Sequence, residues 1–164
     1  IIKKDALLKP IFGSQGKGII LVRKNTYLSE IKNLGNVFYL QNFIGEIRDQ
    51  KFSDLRVLVS NHKVIASMER ESESFLTNVY QGASYHRIQL GSDIIKLSEK
   101  ISRIFKLGYG GIDIKIINKK NFILEINSIP SWKNINSLYK EDLSEKLVQD
   151  FIKIIKNFKK CQSN

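Results

Sequence analysis

The chain has 164 residues, of which 42% are hydrophobic and 26% are charged, and this suits one compact domain with its own core. No apolar run approaches the roughly 20 residues of a membrane-spanning helix, so we expect no membrane partner. The single cysteine, Cys161, excludes an internal disulfide and a multi-cysteine metal site, and it favours a reducing, cytoplasmic location.

The net charge of +11 allows two interpretations. One is an electrostatic surface for nucleic acid or another anion. The other is a solvated surface rich in lysine, which the scatter of the lysines over most segments favours. A basic domain that binds RNA or another anion stays open as an alternative.

A glycine-rich segment lies between two short apolar runs, Ala6–Leu8 and Ile19–Val22. Apolar runs of this length bounded by glycine predict two strands joined by a loop. Glycines let backbone N–H groups converge on an anion, and two lysines add positive charge. We therefore interpret residues 9–18 as a flexible flap over nucleotide phosphates, although a simple glycine turn would look the same.

Short elements are predicted over the middle of the chain. Helical spacing of apolar residues predicts a short helix over Thr26–Leu34. Strands are predicted at Val37–Leu40, Asp54–Ser60 and Lys63–Arg70. A long loop is predicted over Glu71–Ser92.

The C-terminal half predicts longer elements. An amphipathic pattern predicts helices over Asp93–Leu107 and Leu143–Phe158, the second with Leu147, Phe151, Ile154, Ile155 and Phe158 facing inward. Between them, Gly111–Ile117 and Phe122–Asn127 predict two strands joined by a tight turn. The order of elements indicates an α+β or open α/β layer architecture.

This hairpin carries the residues with the clearest chemistry. Alternation places Asp113 on the face opposite Ile112 and Ile114, and it places Glu125 and Asn127 on a common face. An odd-length hairpin loop would bring Asp113 beside Glu125. Two carboxylates and an amide oxygen suit Mg²⁺ or Mn²⁺, whereas a solvent-facing strand explains either carboxylate singly.

Seven short motifs follow one another along the chain: Lys9–Gly18, Tyr39–Ile44, Asp54–Arg56, Met68–Arg70, Thr77–Asn78, Gly111–Asp113 and Leu124–Pro130. Their order is typical of ATP-grasp ligases. The chain resembles the RimK-like branch of these enzymes, the α-L-glutamate ligases, over residues 6 to about 155. Leu76 and the segment Gln81–Ala83 depart from the usual RimK pattern and are more similar to the branch that adds glutamate to tetrahydromethanopterin.

The resemblance implies an α+β ATP-grasp fold, with antiparallel sheets, flanking helices and a nucleotide held between two subdomains. It predicts a glycine-rich lid subdomain over about residues 1–40, a subdomain over about 41–160 that binds metal and adenine, and a tail over 161–164. It also implies that the N-terminal domain of the family is missing from this sequence.

Roles for individual residues follow from the resemblance alone. Lys9 would contact the ATP phosphates, and Asp54 would lie where the family binds ribose or ATP. Arg56 and Arg70 would meet the γ-phosphate or the acyl phosphate, and Asn78 would touch phosphate or metal. The flap would comprise Gly13, Ser14, Gln15, Gly16, Lys17 and Gly18; the adenine hinge Gln41, Asn42, Phe43 and Ile44; and the Mg²⁺ ligands Asp113, Glu125 and Asn127.

The implied activity is an ATP-dependent carboxylate–amine ligase that works through an acyl phosphate. Its implied partners are ATP, Mg²⁺ or Mn²⁺, glutamate or a similar amino acid, and a carboxylate acceptor on a protein C-terminus or a cofactor. The family also implies a homodimer or homotetramer of the full-length protein. The alternative is a nucleotide-binding module without activity. We expect Asp113→Asn or Glu125→Gln to abolish ADP release with little loss of fold.

Overall fold

The computed structural model of the chain describes residues 1–13, 15–31, 37–45 and 51–162. The chain divides into two compact units. Unit 1 comprises residues 1–52 and 72–83, and unit 2 comprises residues 53–71 and 84–164. The predicted lid subdomain over residues 1–40 and second subdomain over 41–160 stay predictions.

Unit 1 contains a three-stranded antiparallel sheet. Its strands are β1 (Ala6–Pro10), β2 (Ile20–Val22) and β3 (Phe38–Asn42), in the order β2-β1-β3. Alternate residues of β1 point into a small core, where Ala6 and Leu8 are buried with Ile2 and Val22. This arrangement confirms the predicted strand, loop and strand around the glycine-rich segment.

The helix predicted over Thr26–Leu34 is wrong in the part that can be described. Only Leu28–Glu30 is helical, as a single turn of 3₁₀ helix, and residues 32–36 lie outside the described residues. The backbone N–H of Asn25 donates to Ile2 (2.7 Å), and that of Ile2 donates to Thr26 (3.1 Å). These bonds tie the start of the segment to the beginning of the chain, which prevents a regular helix from starting there.

Unit 2 is built on a five-stranded sheet in the order β6-β5-β4-β7-β8. The strands are β4 (Phe52–Ser60), β5 (Lys63–Ser72), β6 (Ser84–Arg87), β7 (Tyr109–Ile117) and β8 (Lys120–Asn127). Sequence patterns predicted a loop where β6 and a 3₁₀ turn (Val79–Gln81) lie. The strand β6 escaped prediction because it is a short edge strand whose side chains are mostly exposed.

One face of this sheet carries the main core of unit 2. Helix α1 (Ser92–Ile104) packs there through Ile94 and Ile101. Across from it lie buried apolar side chains of β4 and β7. The alternation predicted the common face of Ile112 and Ile114, and the structure adds Leu55, Val57 and Val59. The helix ends at Ile104 and not at the predicted Leu107, because Lys106 takes a left-handed conformation (φ 52°). Even-numbered residues of β4 and odd-numbered residues of β7 therefore point to the opposite face.

Two further helices follow the sheet, namely α2 (Lys133–Asn136) and α3 (Leu143–Gln162). The predicted inward orientation of Phe151 and Ile155 is wrong, because 62% and 40% of these residues, respectively, are exposed. Leu143 and Asp150 are buried on α3 instead. None of the helices in the described residues is long and apolar enough to cross a membrane.

Candidate active site

The polar face of the unit 2 sheet carries a row of three charged residues on neighbouring strands. Arg56 of β4 lies opposite Asp113 of β7, and Asp113 lies opposite Glu125 of β8. Directly opposed residues of antiparallel strands project their side chains to the same face. The sheet thus brings one guanidinium and two carboxylates together, as the sequence predicted for Asp113 and Glu125.

A β-bulge, and not an odd-length loop, produces this alignment. The hairpin turn has two residues, Asn118 and Lys119, both with positive φ (50° and 60°), as in a type I′ turn. That register pairs Ile114 with Ile123 and, continued, would set Asp113 opposite Leu124. The register shifts beside Asp113, so that Glu125 lies opposite it. The expected odd-length loop is therefore wrong, whereas the expected pairing is confirmed.

Asp113 is almost completely buried and holds two arginines. Both of its carboxylate oxygens accept hydrogen bonds from Arg56, through Nε and through Nη2 at 2.7 Å. Oδ2 also accepts a bond from Nη2 of Arg70 at 2.9 Å. Only 4% of Asp113 is exposed. Bidentate guanidinium–carboxylate pairs of this kind are strong and geometrically specific.

Arg70 links Asp113 to a second buried carboxylate. Its Nε and Nη2 donate to Oδ1 and Oδ2 of Asp54 at 2.7 and 2.6 Å. Burial by itself lowers the pKa of Arg70, but the charges of Asp113 and Asp54 and their hydrogen bonds raise it above its ordinary value. Two arginines and two aspartates therefore form one connected, formally neutral cluster.

The oxygen atoms on this face are of the chemical type that hard divalent cations prefer, and both oxygens of Asp113 are bonded to Arg56 or Arg70 here. Asp113 and Glu125 supply carboxylates, and Asn127 lies two residues after Glu125 on β8, hence on the same side. Asn127 is paired with Gly111, where an added Cβ would stand 2.9 Å from Pro130 and 3.5 Å from Arg56. Glycine is needed at this position because Pro130 and Arg56 pack directly against its backbone. In the described part of the chain no group of three His, Cys, Asp or Glu residues could hold a metal ion, so an amide oxygen would have to be among the protein ligands.

Tyr109 holds the segment that follows β8 against the start of β7. Its hydroxyl donates to the carbonyl of Pro130 at 2.7 Å, and its ring meets Trp132 edge to face at 6.0 Å. Burial raises the pKa of Tyr109 to about 12, against a smaller opposing effect of Arg56. The hydroxyl therefore remains a donor at neutral pH and helps to place Pro130 beside Gly111.

The glycine-rich loop of unit 1 is supported by the 3₁₀ turn at Val79–Gln81. The side chain of Gln81 donates to the carbonyl of Gln15 at 3.0 Å. The ammonium of Lys17 lies 5.2 Å from the ring centre of Tyr80, a cation–π contact. Gly16 has φ 72°, and an added Cβ would lie 3.0 Å from Gln81. Glycine is needed there for both conformation and space.

Other predicted residues of unit 1 lie on or next to its strands. Lys9 of β1 is half-buried and faces Tyr39 across the sheet. Gln41 and Asn42 end β3, and Phe43 and Ile44 follow; the Phe43 ring meets Phe52 and Phe75 edge to face. Ser14 lies outside the described residues. The predicted nucleotide contacts of all these residues stay predictions.

Asn78 has a structural contact in this unit. Its side-chain oxygen accepts a bond from the backbone of Tyr80 at 3.0 Å and so caps the 3₁₀ turn. Sequence reasoning missed Tyr80 and Gln81 as supports of the flap. The order of motifs gave no sign of them, because their contacts with the flap span more than sixty positions of sequence.

Comparison with solved structures identifies the fold. The ATP-grasp ligase PsnB, complexed with a phosphomimetic variant of its minimal precursor, Mg and ADP, matches 92% of this chain and 46% of its own, with a TM-score of 0.68 and 18% identity. The D-alanine–D-alanine ligase of Bacillus anthracis matches 93% of this chain and 56% of its own, with a TM-score of 0.65 and 11% identity. Both similarities show the ATP-grasp fold and confirm that expectation.

Sequence comparison identifies the family within this fold. The RimK-like ATP-grasp domain model matches residues 2–152, so the chain belongs to this family. The tetrahydromethanopterin:α-L-glutamate ligase of Methanocaldococcus jannaschii is 33% identical over 162 residues, covering 94% of this chain and 55% of that protein. A probable α-L-glutamate ligase of Maridesulfovibrio salexigens is 33% identical over 152 residues, covering 89% of this chain and 49% of that protein. The chain thus spans about half the length of the curated relatives it matches.

Proposed function

We propose that the protein is an ATP-dependent ligase that joins a carboxylate to the amine of glutamate. The observation that carries the proposal is the row formed by Arg56, Asp113 and Glu125, with Arg70 bonded to the same aspartate. Family membership supports ATP as the energy source, and the names of the relatives support glutamate as the amine. The acceptor would be a carboxylate on a cofactor or on a protein C-terminus.

The proposed reaction has two chemical steps. The acceptor carboxylate attacks the γ-phosphorus of ATP, and the bond to the β,γ-bridging oxygen breaks, which gives an acyl phosphate and ADP. The amine of glutamate then attacks the acyl carbon, phosphate leaves, and the amine loses a proton as the amide forms. Such chemistry depends on positioning and on charge neutralisation more than on a protein nucleophile.

The protein residues have separate tasks in this scheme. Arg56 and Arg70 would neutralise charge on the transferred phosphoryl group, and Lys9 with the loop at Gly13–Gly18 would bind the ATP phosphates. Gln41–Ile44 would contact adenine. Asp113, Glu125 and Asn127 would hold Mg²⁺, which when bound screens the negative charge of the phosphate oxygens. Asn78 would contact phosphate through its side-chain nitrogen, because its oxygen caps the 3₁₀ turn.

Mass spectrometry of candidate acceptors tests the proposal. The full-length protein is incubated with ATP, Mg²⁺, glutamate and a panel of pterin-type cofactors and peptides that end in a free carboxylate. We expect one acceptor to gain the mass of glutamate, with one ADP and one phosphate formed per amide. Nucleotide binding without ADP formation on any acceptor would favour a binding module instead. Affinity for RNA with a steep dependence on salt would favour a nucleic-acid role.

A further inference from the structure

Asp54 is a buried carboxylate whose two oxygens both bond to one arginine. It lies on β4, and only 5% of it is exposed. Oδ1 accepts from Nε of Arg70 at 2.7 Å and Oδ2 accepts from Nη2 at 2.6 Å. A ribose hydroxyl needs a carboxylate oxygen that reaches the surface, and this carboxylate turns both oxygens to Arg70. The geometry therefore does not favour the ribose contact that the family resemblance implied.

Arg70 is also nearly buried, with 5% of it exposed, and it joins Asp54 to Asp113. Nη2, which is bonded to Asp54, also donates to Asp113 at 2.9 Å. The planar fork of a guanidinium is fixed in two directions when its Nε and Nη2 meet one carboxylate. Asp54 thus sets the plane of Arg70, and that plane directs Nη2 at the proposed metal ligand. Arg56 is held differently, because its bidentate partner is Asp113 itself.

We propose that Asp54 is a positioning residue, which holds the Arg70 guanidinium at the place where the γ-phosphate of ATP is bound, and that Asp54 does not touch the nucleotide. This inference rests on the proposed function, in which Arg70 meets that phosphate. It predicts different effects on triphosphate and diphosphate binding, whereas a ribose contact would affect both equally. Loss of Asp54 weakens binding of a triphosphate and leaves binding of a diphosphate nearly unchanged.

A double-mutant cycle between Asp54 and Arg70 tests the inference. Calorimetry measures the dissociation constants of a non-hydrolysable ATP analogue and of ADP, each with Mg²⁺, for full-length protein carrying Asp54→Asn, Arg70→Lys or both changes. We expect Asp54→Asn to raise the dissociation constant of the ATP analogue by about tenfold, which is the scale of one charge-assisted hydrogen bond. ADP binding should change by less than about twofold. In protein that already carries Arg70→Lys, Asp54→Asn should raise the dissociation constant of the ATP analogue by less than about twofold.

Two results would overturn the positioning role. One is an equal loss of affinity for ADP and for the ATP analogue, which would mean that Asp54 contacts the shared part of the nucleotide. The other is full additivity of Asp54→Asn and Arg70→Lys, which would mean that Asp54 does not act through Arg70. The same cycle with Arg56→Lys in place of Arg70→Lys serves as a comparison, and there the loss caused by Asp54→Asn should remain at about tenfold.

Loss of a buried charge can also unfold a protein, so two further variants are needed. Asp150→Asn removes another buried aspartate, whose partners are Ser60 on β4 and Lys146 (2.9 Å) and Lys153 (3.5 Å) on α3. It should leave the affinity for both nucleotides unchanged. Asp54→Glu retains the charge but moves the carboxylate, so it should lower the affinity for the ATP analogue and leave the affinity for ADP nearly unchanged. This variant tests the inference even if Asp54→Asn does not fold. Wild-type affinity of Asp54→Glu for the ATP analogue would count against the inference.

The inference and the proposed function can fail separately. If the wild-type protein forms no amide with any acceptor but the cycle shows coupling, the ligase assignment fails and the positioning role stands. If amide forms but the cycle shows no coupling, the positioning role fails and the ligase assignment stands. Because the cycle measures binding alone, it does not depend on knowing the acceptor.

Discussion

Asp113 and Glu125 differ sharply in burial although they lie opposite each other. Asp113 is buried and bonded to two arginines, whereas Glu125 is exposed. Removal of one partner from a buried charge cluster leaves the other charges uncompensated. The expectation that Asp113→Asn would leave the fold intact is therefore revised, while that expectation is retained for Glu125→Gln.

The two variants should separate stability from catalysis. Asp113→Asn should lower the free energy of unfolding by roughly 3 kcal/mol because Arg56 and Arg70 lose a charged partner. Glu125→Gln should change it by less than about 0.5 kcal/mol. Both should slow amide formation by on the order of a hundredfold or more. Urea unfolding and steady-state rates measure the two effects; equal stability of the two variants would contradict the burial difference.

At this scale the sequence predicted the chemistry but not its connections. Alternation along the strands, with an odd-length loop that the structure does not have, brought Asp113 beside Glu125 as candidate metal ligands. The contact of Asp54 with Arg70 could not be predicted, because it depends on the register between β4 and β5 and on rotamers that packing selects. The bulge near Leu124 was equally invisible, since no glycine marks it.

Helix α3 shows the limit of periodicity at the scale of an element. Apolar residues cover much more than one face of α3, so the sequence could not tell which stripe is packed. The structure buries Leu143 and leaves Val148, Phe151 and Ile152 largely exposed. The predicted helix is confirmed. Of its predicted inward residues, Leu147 and Ile154 are half-buried, whereas Phe151 and Ile155 are exposed, and the side chain of Phe158 lies outside the part that the structure describes.

Two alanine substitutions on α3 test the observed orientation. Leu143→Ala should destabilise the protein by roughly 2 to 4 kcal/mol, because a buried side chain is removed and a cavity remains. Phe151→Ala should cost less than about 0.5 kcal/mol, because the ring is mostly in solvent. Urea unfolding of both variants gives the comparison. A larger loss for Phe151→Ala would mean that α3 packs through its other face.

Asp150 makes the attachment of α3 dependent on pH. Burial alone would raise the pKa of Asp150, but hydrogen bonds from Lys146 and Ser60 and the nearby lysine charges lower it below the ordinary value. A lowered folded-state pKa gives stability that is complete above the ordinary pKa of about 4 and is lost as the pH falls through the folded-state pKa.

Asp150→Asn should therefore cost most stability at neutral pH. We expect the difference in unfolding free energy between wild type and variant to be roughly 1 to 3 kcal/mol at about pH 7 and to shrink below about pH 4. Urea unfolding over this range measures it. A difference that grew on acidification would show that the carboxylate is destabilised, and not stabilised, by its surroundings.

At the scale of the whole molecule, the sequence predicted the family and the ATP-grasp fold, and both are confirmed. Short motifs in a fixed order were sufficient for this because each marks a turn or a strand of the fold. The sequence did not predict which residues belong to each of the two units. Unit 1 takes residues 72–83 from beyond the β4–β5 hairpin, and no break in composition indicates that return.

In the proposed reaction, ATP activates a carboxylate as an acyl phosphate on the face that carries Arg56, Arg70 and Asp113. Transfer of a heavy-oxygen label tests it most directly. The acceptor carboxylate is labelled with the heavy isotope, the full-length protein is supplied with ATP, Mg²⁺ and glutamate, and the released phosphate is analysed by mass spectrometry. We expect one label atom in each phosphate, together with ADP. Unlabelled phosphate, or AMP and pyrophosphate in place of ADP, would contradict the account.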